Sequence, residues 1–220
     1  MKVIDRIRAH VYDAAIVGMT AAWYRAVLTR LPPGCRVLDV GIGTGSALLA
    51  NADLLVSRQL RVTGLDVDGA YASACAGEVT RRGLDEHVET RLESVYHHRG
   101  GPYDAAYWSG SFMLLPDPPG ALRHVATLLA PGGHMYFTQT FEHERSRALE
   151  MLKPLLRMIT TIDFGRVTYE AAFRAALIDG GAVLESLEVL DAGRRRSAML
   201  AVARPTAAGA SPNRGSLVRS

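Results

Sequence analysis

Two cysteines in 220 residues, Cys35 and Cys75, are too few and too far apart for a disulfide framework or a thiolate metal site. They read as reduced thiols of a cytoplasmic protein. No zinc spacing and no nucleoside-triphosphate loop occurs anywhere in the chain, so no metal is expected. Long apolar runs are lacking too. The stretch from Ala14 to Trp23 is closed by Asp13 and Arg25, short of the roughly 20 residues that span a bilayer. Lys2, Asp5, Arg6 and Arg8 interrupt any leader-like run, and no membrane partner is expected. Excess charge is small, a formal +3. Arg204, Arg214 and Arg219 supply it in a stretch without acids, which leaves residues 1–203 balanced. A domain held mainly by phosphate contacts would carry more, so nucleic acid is not an expected partner.

What remains is ordinary globular composition, 48% hydrophobic and 21% charged. The length suits one domain. The chain reads as a single unit over 1–204, followed by a flexible tail, 205–220, rich in Pro, Ser, Ala and Gly. Its organising stretch is Val37-Leu38-Asp39-Val40-Gly41-Ile42-Gly43-Thr44-Gly45-Ser46. Four residues read as a buried strand. Three glycines at alternate positions follow, and Ala47-Leu48-Leu49-Ala50 begins a helix. Glycine tolerates positive φ and carries no Cβ, so such a turn bends sharply and admits a ligand close to its backbone. It also lies at the carboxyl edge of a parallel sheet, where open α/β folds bind ligands. Asp39 sits inside the strand, where a buried carboxylate requires partners. A second strand, Arg61 to Leu65, ends in Asp66 about 20 residues beyond the loop, the spacing at which an acid meets ribose hydroxyls.

These residues resemble the class I S-adenosylmethionine-dependent methyltransferases. The glycine spacing is G-x-G-x-G, whereas dinucleotide dehydrogenases show G-x-G-x-x-G. The resemblance continues through Leu65-Asp66-Val67-Asp68, Tyr103-Asp104-Ala105-Ala106-Tyr107-Trp108 and Leu128-Leu129-Ala130-Pro131-Gly132-Gly133, and covers Leu31 to Thr140. It implies S-adenosyl-L-methionine as cofactor, with Gly41, Gly43 and Gly45 near the methionine part. Asp39 would orient the loop or the amino group, Asp66 would accept the ribose hydroxyls, and Val67, Ser94 and Val95 would border the adenine. The family commonly places an acid where Ser94 stands. Ser109 would meet the cofactor from the fourth strand. Asn/Asp-Pro-Pro-Tyr, with which amino methyltransferases of nucleic acids and proteins grip a planar nitrogen, is replaced by Ser109-Gly110-Ser111-Phe112. The expected acceptor is therefore a small molecule. A protein or RNA acceptor, or a non-catalytic cofactor-binding subunit, stands as the alternative.

Strands alternate with helices at lengths that imply an α/β, doubly wound, mostly parallel seven-stranded, Rossmann-like sheet. Ala182–Leu190 and Arg196–Ala203 would close it as an antiparallel hairpin. Residues 1–31 read as two helices capped apart at Met19-Thr20, the first a lid bringing Tyr12 over the cofactor. Residues 141–167 form an inserted helical segment that either arches over the pocket or offers a homodimer surface. Trp108, Phe112, Gln139 and Thr140 are the acceptor-pocket candidates, at or near strand ends. His97, His98 and His143 are candidate bases by intrinsic pKa, with Tyr12 beside them, and a solvated loop histidine is the competing reading.

Overall fold

The computed structural model describes residues 17–142, 168–193 and 196–206. Tyr12, His143, most of the 141–167 segment, the first sixteen residues and the tail beyond 206 lie outside them. Residues 17–28 are helical (α1). Then follow β1 (Arg36–Val40), α2 (Ser46–Leu49), α3 (Ala52–Ser57), β2 (Arg61–Asp66), α4 (Gly69–Arg81) and β3 (Val88–Leu92). After these come β4 (Tyr103–Ser109), a single 3-10 turn (Phe112–Leu114), α5 (Pro118–Leu128) and β5 (Leu129–Glu142). The last elements are α6 (Glu170–Asp179), β6 (Ala182–Ala192) and β7 (Arg196–Pro205).

The seven strands form one sheet in the order β3-β2-β1-β4-β5-β7-β6. Its first five strands run parallel, while β7 lies antiparallel between β5 and β6. Strand order reverses between β1 and β4, which opens a crevice at their carboxyl ends. The central parallel strands β1 and β4 are buried on both faces, as layers of helices require. Leu38, Val40, Ala106, Trp108, Met135 and Phe137 face a core completed by α5 and α6. Val37, Ala105 and Tyr107 face the other core, where Tyr24, Val27, Leu28 and Leu31 of α1 and its following turn pack with α2, α3 and α4. Asp39 shares strand parity with Val37 and so turns its carboxyl toward α1.

Local chemistry explains most boundaries. Asp68 caps α4 by accepting the Ala70 and Tyr71 N–H groups, and Asp117 caps α5 by accepting that of Gly120. One sequence expectation changes, and two elements depart from a simple alternation. Met19-Thr20 is no cap, because α1 runs through it and the Thr20 hydroxyl donates back to the Val17 carbonyl. The first crossover helix is broken at Asn51, whose buried amide donates to the Ala21 and Ala47 carbonyls and ties α1 to α2. Pro131-Gly132-Gly133 is no turn into a separate strand, since Leu129 already pairs with Tyr103 and β5 continues across a register shift.

Candidate functional site

The glycine turn leaves β1 with all three glycines in the left-handed region, at φ +81°, +60° and +71° for Gly41, Gly43 and Gly45. Only glycine adopts this repeatedly at low cost. Their surroundings differ. A Cβ on Gly41 would come within 2.7 Å of the Ser111 Cβ, and one on Gly45 within 2.4 Å of the Cys75 Sγ of α4. A Cβ on Gly43 would meet nothing within 4 Å. The loop is thus held against protein at both ends and bare in the middle.

Asp66, at the end of β2, faces that bare position. Its Oδ2 accepts the Gly43 N–H at 2.9 Å and its Oδ1 accepts the Asp68 N–H at 2.9 Å. A carboxylate offers about four lone-pair sites, so each oxygen keeps capacity for one further donor. The Leu65 carbonyl accepts from Gly41 and Ile42, and the Asp66 carbonyl accepts the Glu93 N–H at 2.9 Å. Backbone bonds therefore bring the ends of β1, β2 and β3 into one edge. Val67 lies there 75% exposed, an apolar side chain offered to solvent. Ser94 is half-buried just past β3. From the other side, the Ser111 hydroxyl donates to the Val40 carbonyl through a very short contact, and the Gly110 N–H donates to Thr138.

Asp39 is only 1% exposed and lies below this edge. Its Oδ2 accepts the Tyr24 hydroxyl at 2.7 Å, while Oδ1 has no hydrogen-bond partner. Burial, opposed by the Tyr24 bond and reinforced by the Asp66 charge, pushes its carboxyl up to about 7. The buried Ser109 Oγ and Gln139 Oε1 are likewise unpartnered. Unsatisfied polar atoms are rare in folded interiors; besides the Trp108 indole N–H in the aromatic core, these three lie at the carboxyl ends of β1, β4 and β5, Gln139 on the face away from α1. That pattern fits a polar ligand, as do the bare Gly43 and the spare capacity of Asp66.

The structure brings Asp39, Gly41, Gly43, Gly45, Asp66, Val67, Ser94 and Ser109 to one edge. Val95, Trp108 and Phe112 lie in the core instead. Val95 is buried in the α5/α6 core, and exposed Leu92 joins Val67 as the apolar rim instead. Trp108 is fully buried, stacked on Phe137 at 4.8 Å with planes 9° apart. Phe112 packs edge-on against Phe137 at 4.9 Å and Phe173 at 5.8 Å. Both are core residues: Trp108 sits on the β4 face turned to α5 and α6, and Phe112 reaches the same core from the 3-10 turn. Gln139 and Thr140 do lie near the edge but on opposite faces of β5. Gln139 donates to Thr168 at 3.3 Å. Further along that face a cleft of about 510 Å³ opens between Phe141, Glu142, Tyr169, Val189 and Met199.

No histidine among the described residues stands in this edge as a base. His97 is exposed in the loop after β3. His98 is fully buried between the Glu93 carboxylate at 2.9 Å and the Tyr103 hydroxyl at 2.8 Å. Tyr24 is the partner of Asp39, a pairing that is not legible in the sequence alone. Its signal was a tyrosine among α1's buried positions, facing a strand that carries an acid.

Comparison with known proteins agrees with this geometry. The sequence model described as "Methyltransferase domain" matches residues 14–176. Nocamycin O-methyltransferase of Saccharothrix syringae is 34% identical over 144 residues, 62% of this chain and 49% of that protein. Ubiquinone biosynthesis O-methyltransferase of Cronobacter sakazakii is 26% identical over 129 residues, 57% of this chain and 51% of the relative. The chain spans about half the length of the curated relatives it matches. Among solved structures, mitomycin 7-O-methyltransferase MmcR superimposes with a TM-score of 0.66 at 21% identity, over 91% of this chain and 58% of that one. The cyclase SpnF does so at 0.68 and 17%, over 84% and 81%. A cyclase shares the architecture, so the fold alone leaves the reaction open, but motifs and family match converge: the chain belongs to the methyltransferase-domain family, among the class I S-adenosylmethionine-dependent enzymes.

Proposed function

We propose that this protein transfers a methyl group from S-adenosyl-L-methionine to a small-molecule acceptor by in-line displacement. The observation that carries the reading is the pairing of Asp66 with the bare Gly43. It supplies a carboxylate with two uncommitted lone pairs beside backbone that a ligand can approach. Asp66 would hold the ribose hydroxyls, Val67, Leu92 and Ser94 the adenine, and Gly41, Gly43 and Ser109 the amino-acid part. When bound, the cofactor supplies an electrophilic methyl on a cationic sulfur whose departure needs no proton. The chain's task is then to align the acceptor and exclude water. The cleft between Phe141 and Met199 is the acceptor site in this reading, lined by aromatic Phe141 and Tyr169, apolar Val189 and Met199, and polar Glu142, Glu170 and Ser197. Residues 1–204 act as one cytoplasmic unit in this reading, and a homodimer is compatible with it.

Among the described residues no histidine stands at the glycine edge, which suits an acceptor that needs no deprotonation there. It also keeps a second reading in play, a non-catalytic cofactor-binding subunit. Calorimetry with S-adenosylmethionine and with NAD tests the cofactor, and binding of NAD instead would end the proposal. Labelled methyl transfer into size-fractionated extract then separates the functions. Label in small molecules supports the proposal, label in polymers points to protein or RNA, and no label with tight cofactor binding points to the subunit.

A further inference from the structure

The cleft at the far end of β5 has a chemistry of its own. β5 pairs with β4 only as far as Thr138, and the stretch from Gln139 to Glu142 pairs with β7 alone. Phe141 and Ser197 oppose each other in that ladder, Met199 and Val189 in the next, and Tyr169 joins them from the turn into α6. Phe141 rests on Phe173 of α6, ring centroids 5.4 Å apart, which fixes the floor. Two acids stand at the cleft. Glu170 opens α6, meets the positive end of that helix, and pairs with Arg174 at 2.6 Å. Glu142 is not matched in this way. Arg196 stands opposite it across the ladder, yet Glu142 forms no ion pair among the described residues. One step deeper on the Phe141 face, Gln139 is opposed to Met199, and its buried Oε1 accepts nothing. None of the described lining residues is basic.

An anionic acceptor would meet uncompensated negative charge here, and a neutral one would leave that charge unused. Aromatic faces beside a carboxylate suit a cation with an apolar body, which the ring quadrupoles and the acid attract together. We propose that the cleft is an ammonium anchor: the acceptor is an amphiphilic amine whose protonated nitrogen sits against Glu142 and Tyr169, with its apolar part on Phe141, Val189 and Met199. The proposal rests on the acceptor reading above and names the class of molecule. The anchored nitrogen is not the atom methylated. Once protonated it has no lone pair to offer a sulfonium, so the methyl goes to a second atom of the same molecule. The position of Glu142 agrees with this. It lies beyond Thr138, the β5 partner of Ser109, by ~13 Å of strand, and Ser109 marks the end where this reading puts the cofactor's amino-acid part. That separation exceeds the Debye length of ~8 Å in physiological salt, so ammonium and sulfonium do not repel each other appreciably.

Methionine-methyl NMR of the full chain tests the anchor, with Met199→Leu assigning the Met199 signal. Phenethylamine, 2-phenylethanol and 3-phenylpropanoate carry a cation, a neutral group and an anion on one phenylethyl body. Each is titrated in the presence of S-adenosylhomocysteine, whose own binding is followed in the same samples. Phenethylamine should shift Met199 and bind roughly five- to thirtyfold more tightly than the alcohol, with the propanoate weakest. Glu142→Gln should cut the amine's advantage to roughly two- to fivefold, the share left to the aromatic rings. Glu142→Lys should make the propanoate the tightest of the three. An alcohol that binds as tightly as the amine would overturn the proposal. So would a wild-type preference for the propanoate, a Met199 signal unmoved by all three probes, or an amine preference that survives Glu142→Lys. If S-adenosylhomocysteine binds and the probes fail, the anchor alone is lost; if S-adenosylhomocysteine does not bind, the cofactor reading itself has failed and takes the anchor with it.

Discussion

Gly43 and Gly45 share a backbone conformation but not surroundings, so alanine at each separates ligand space from packing space. Both sit at positive φ, +60° and +71°, where an L side chain costs about 1–2 kcal/mol. At Gly43 the new methyl meets nothing within 4 Å, so that conformational cost is the whole expected loss of stability. At Gly45 it arrives 2.4 Å from the Cys75 sulfur. Cys75 is fully buried, and its sulfur accepts the Thr90 hydroxyl at 3.2 Å, so it cannot swing aside freely. Overpacking adds about 1–3 kcal/mol, for a total of about 2–5 kcal/mol. Cys75→Ala in the Gly45→Ala background removes the obstructing sulfur and should show a coupling of about 1–3 kcal/mol in a double-mutant cycle. Binding should rank the other way. Gly43→Ala puts its methyl where the ligand lies and should weaken S-adenosylhomocysteine by roughly tenfold or more. Gly45→Ala points into α4 and should keep its affinity. Urea midpoints and calorimetry read the two properties separately. Wild-type affinity in Gly43→Ala, or equal stability of the two variants, would refute the argument that the turn is bare only at its centre.

Asp66→Ala should weaken S-adenosylhomocysteine by about 1–3 kcal/mol, the loss of hydrogen bonds to a charged acceptor; an unchanged Kd would remove Asp66 from the site. Asp39 has its folded pKa raised from 3.8 to about 7. The folded state therefore binds the extra proton, and stability present at low pH is lost as pH rises through that window. Asp39→Asn should flatten this slope and raise the unfolding free energy at pH 8 by up to about 4 kcal/mol. Urea unfolding at pH 5 and pH 8 checks it, and an unaltered slope would contradict the buried, unpaired carboxylate. Trp108→Ala should cost about 3–5 kcal/mol with cofactor affinity nearly unchanged. A variant as stable as the wild type would restore Trp108 to the acceptor pocket.

The ligand-binding edge was legible because it is local in sequence. The turn from Val37 to Ser46 carries its own backbone requirement, and Asp66 follows at the distance one crossover imposes. The packing of the chain on either side was less legible for a physical reason. A parallel strand is buried on both faces, so alternation places Tyr107 and Trp108 on opposite sides without saying which side meets a ligand. In the fold Tyr107 joins the core under α1 and Trp108 the aromatic core, and neither opens to an acceptor. The stripe on α1 shows the same limit. A stripe drawn through Trp23, Val27 and Leu31 passes over Tyr24 and Leu28, although one residue is only 100° of helix and the buried face holds all five. Tyr24 matters solely because β1 turns Asp39 toward it across 15 positions.

That pairing carries the last step of the argument. Asp39 was read from the sequence as a carboxylate that needs partners, and the fold supplies one donor where full solvation would supply several. Had α1 presented an arginine in place of Tyr24, the acid would be permanently charged and structurally spent. A phenol stabilises the carboxylate without neutralising it, so the remaining positive charge has to come from outside the described chain. A buried acid left uncompensated gives up stability near neutral pH, and a ligand that supplied the missing charge would recover it.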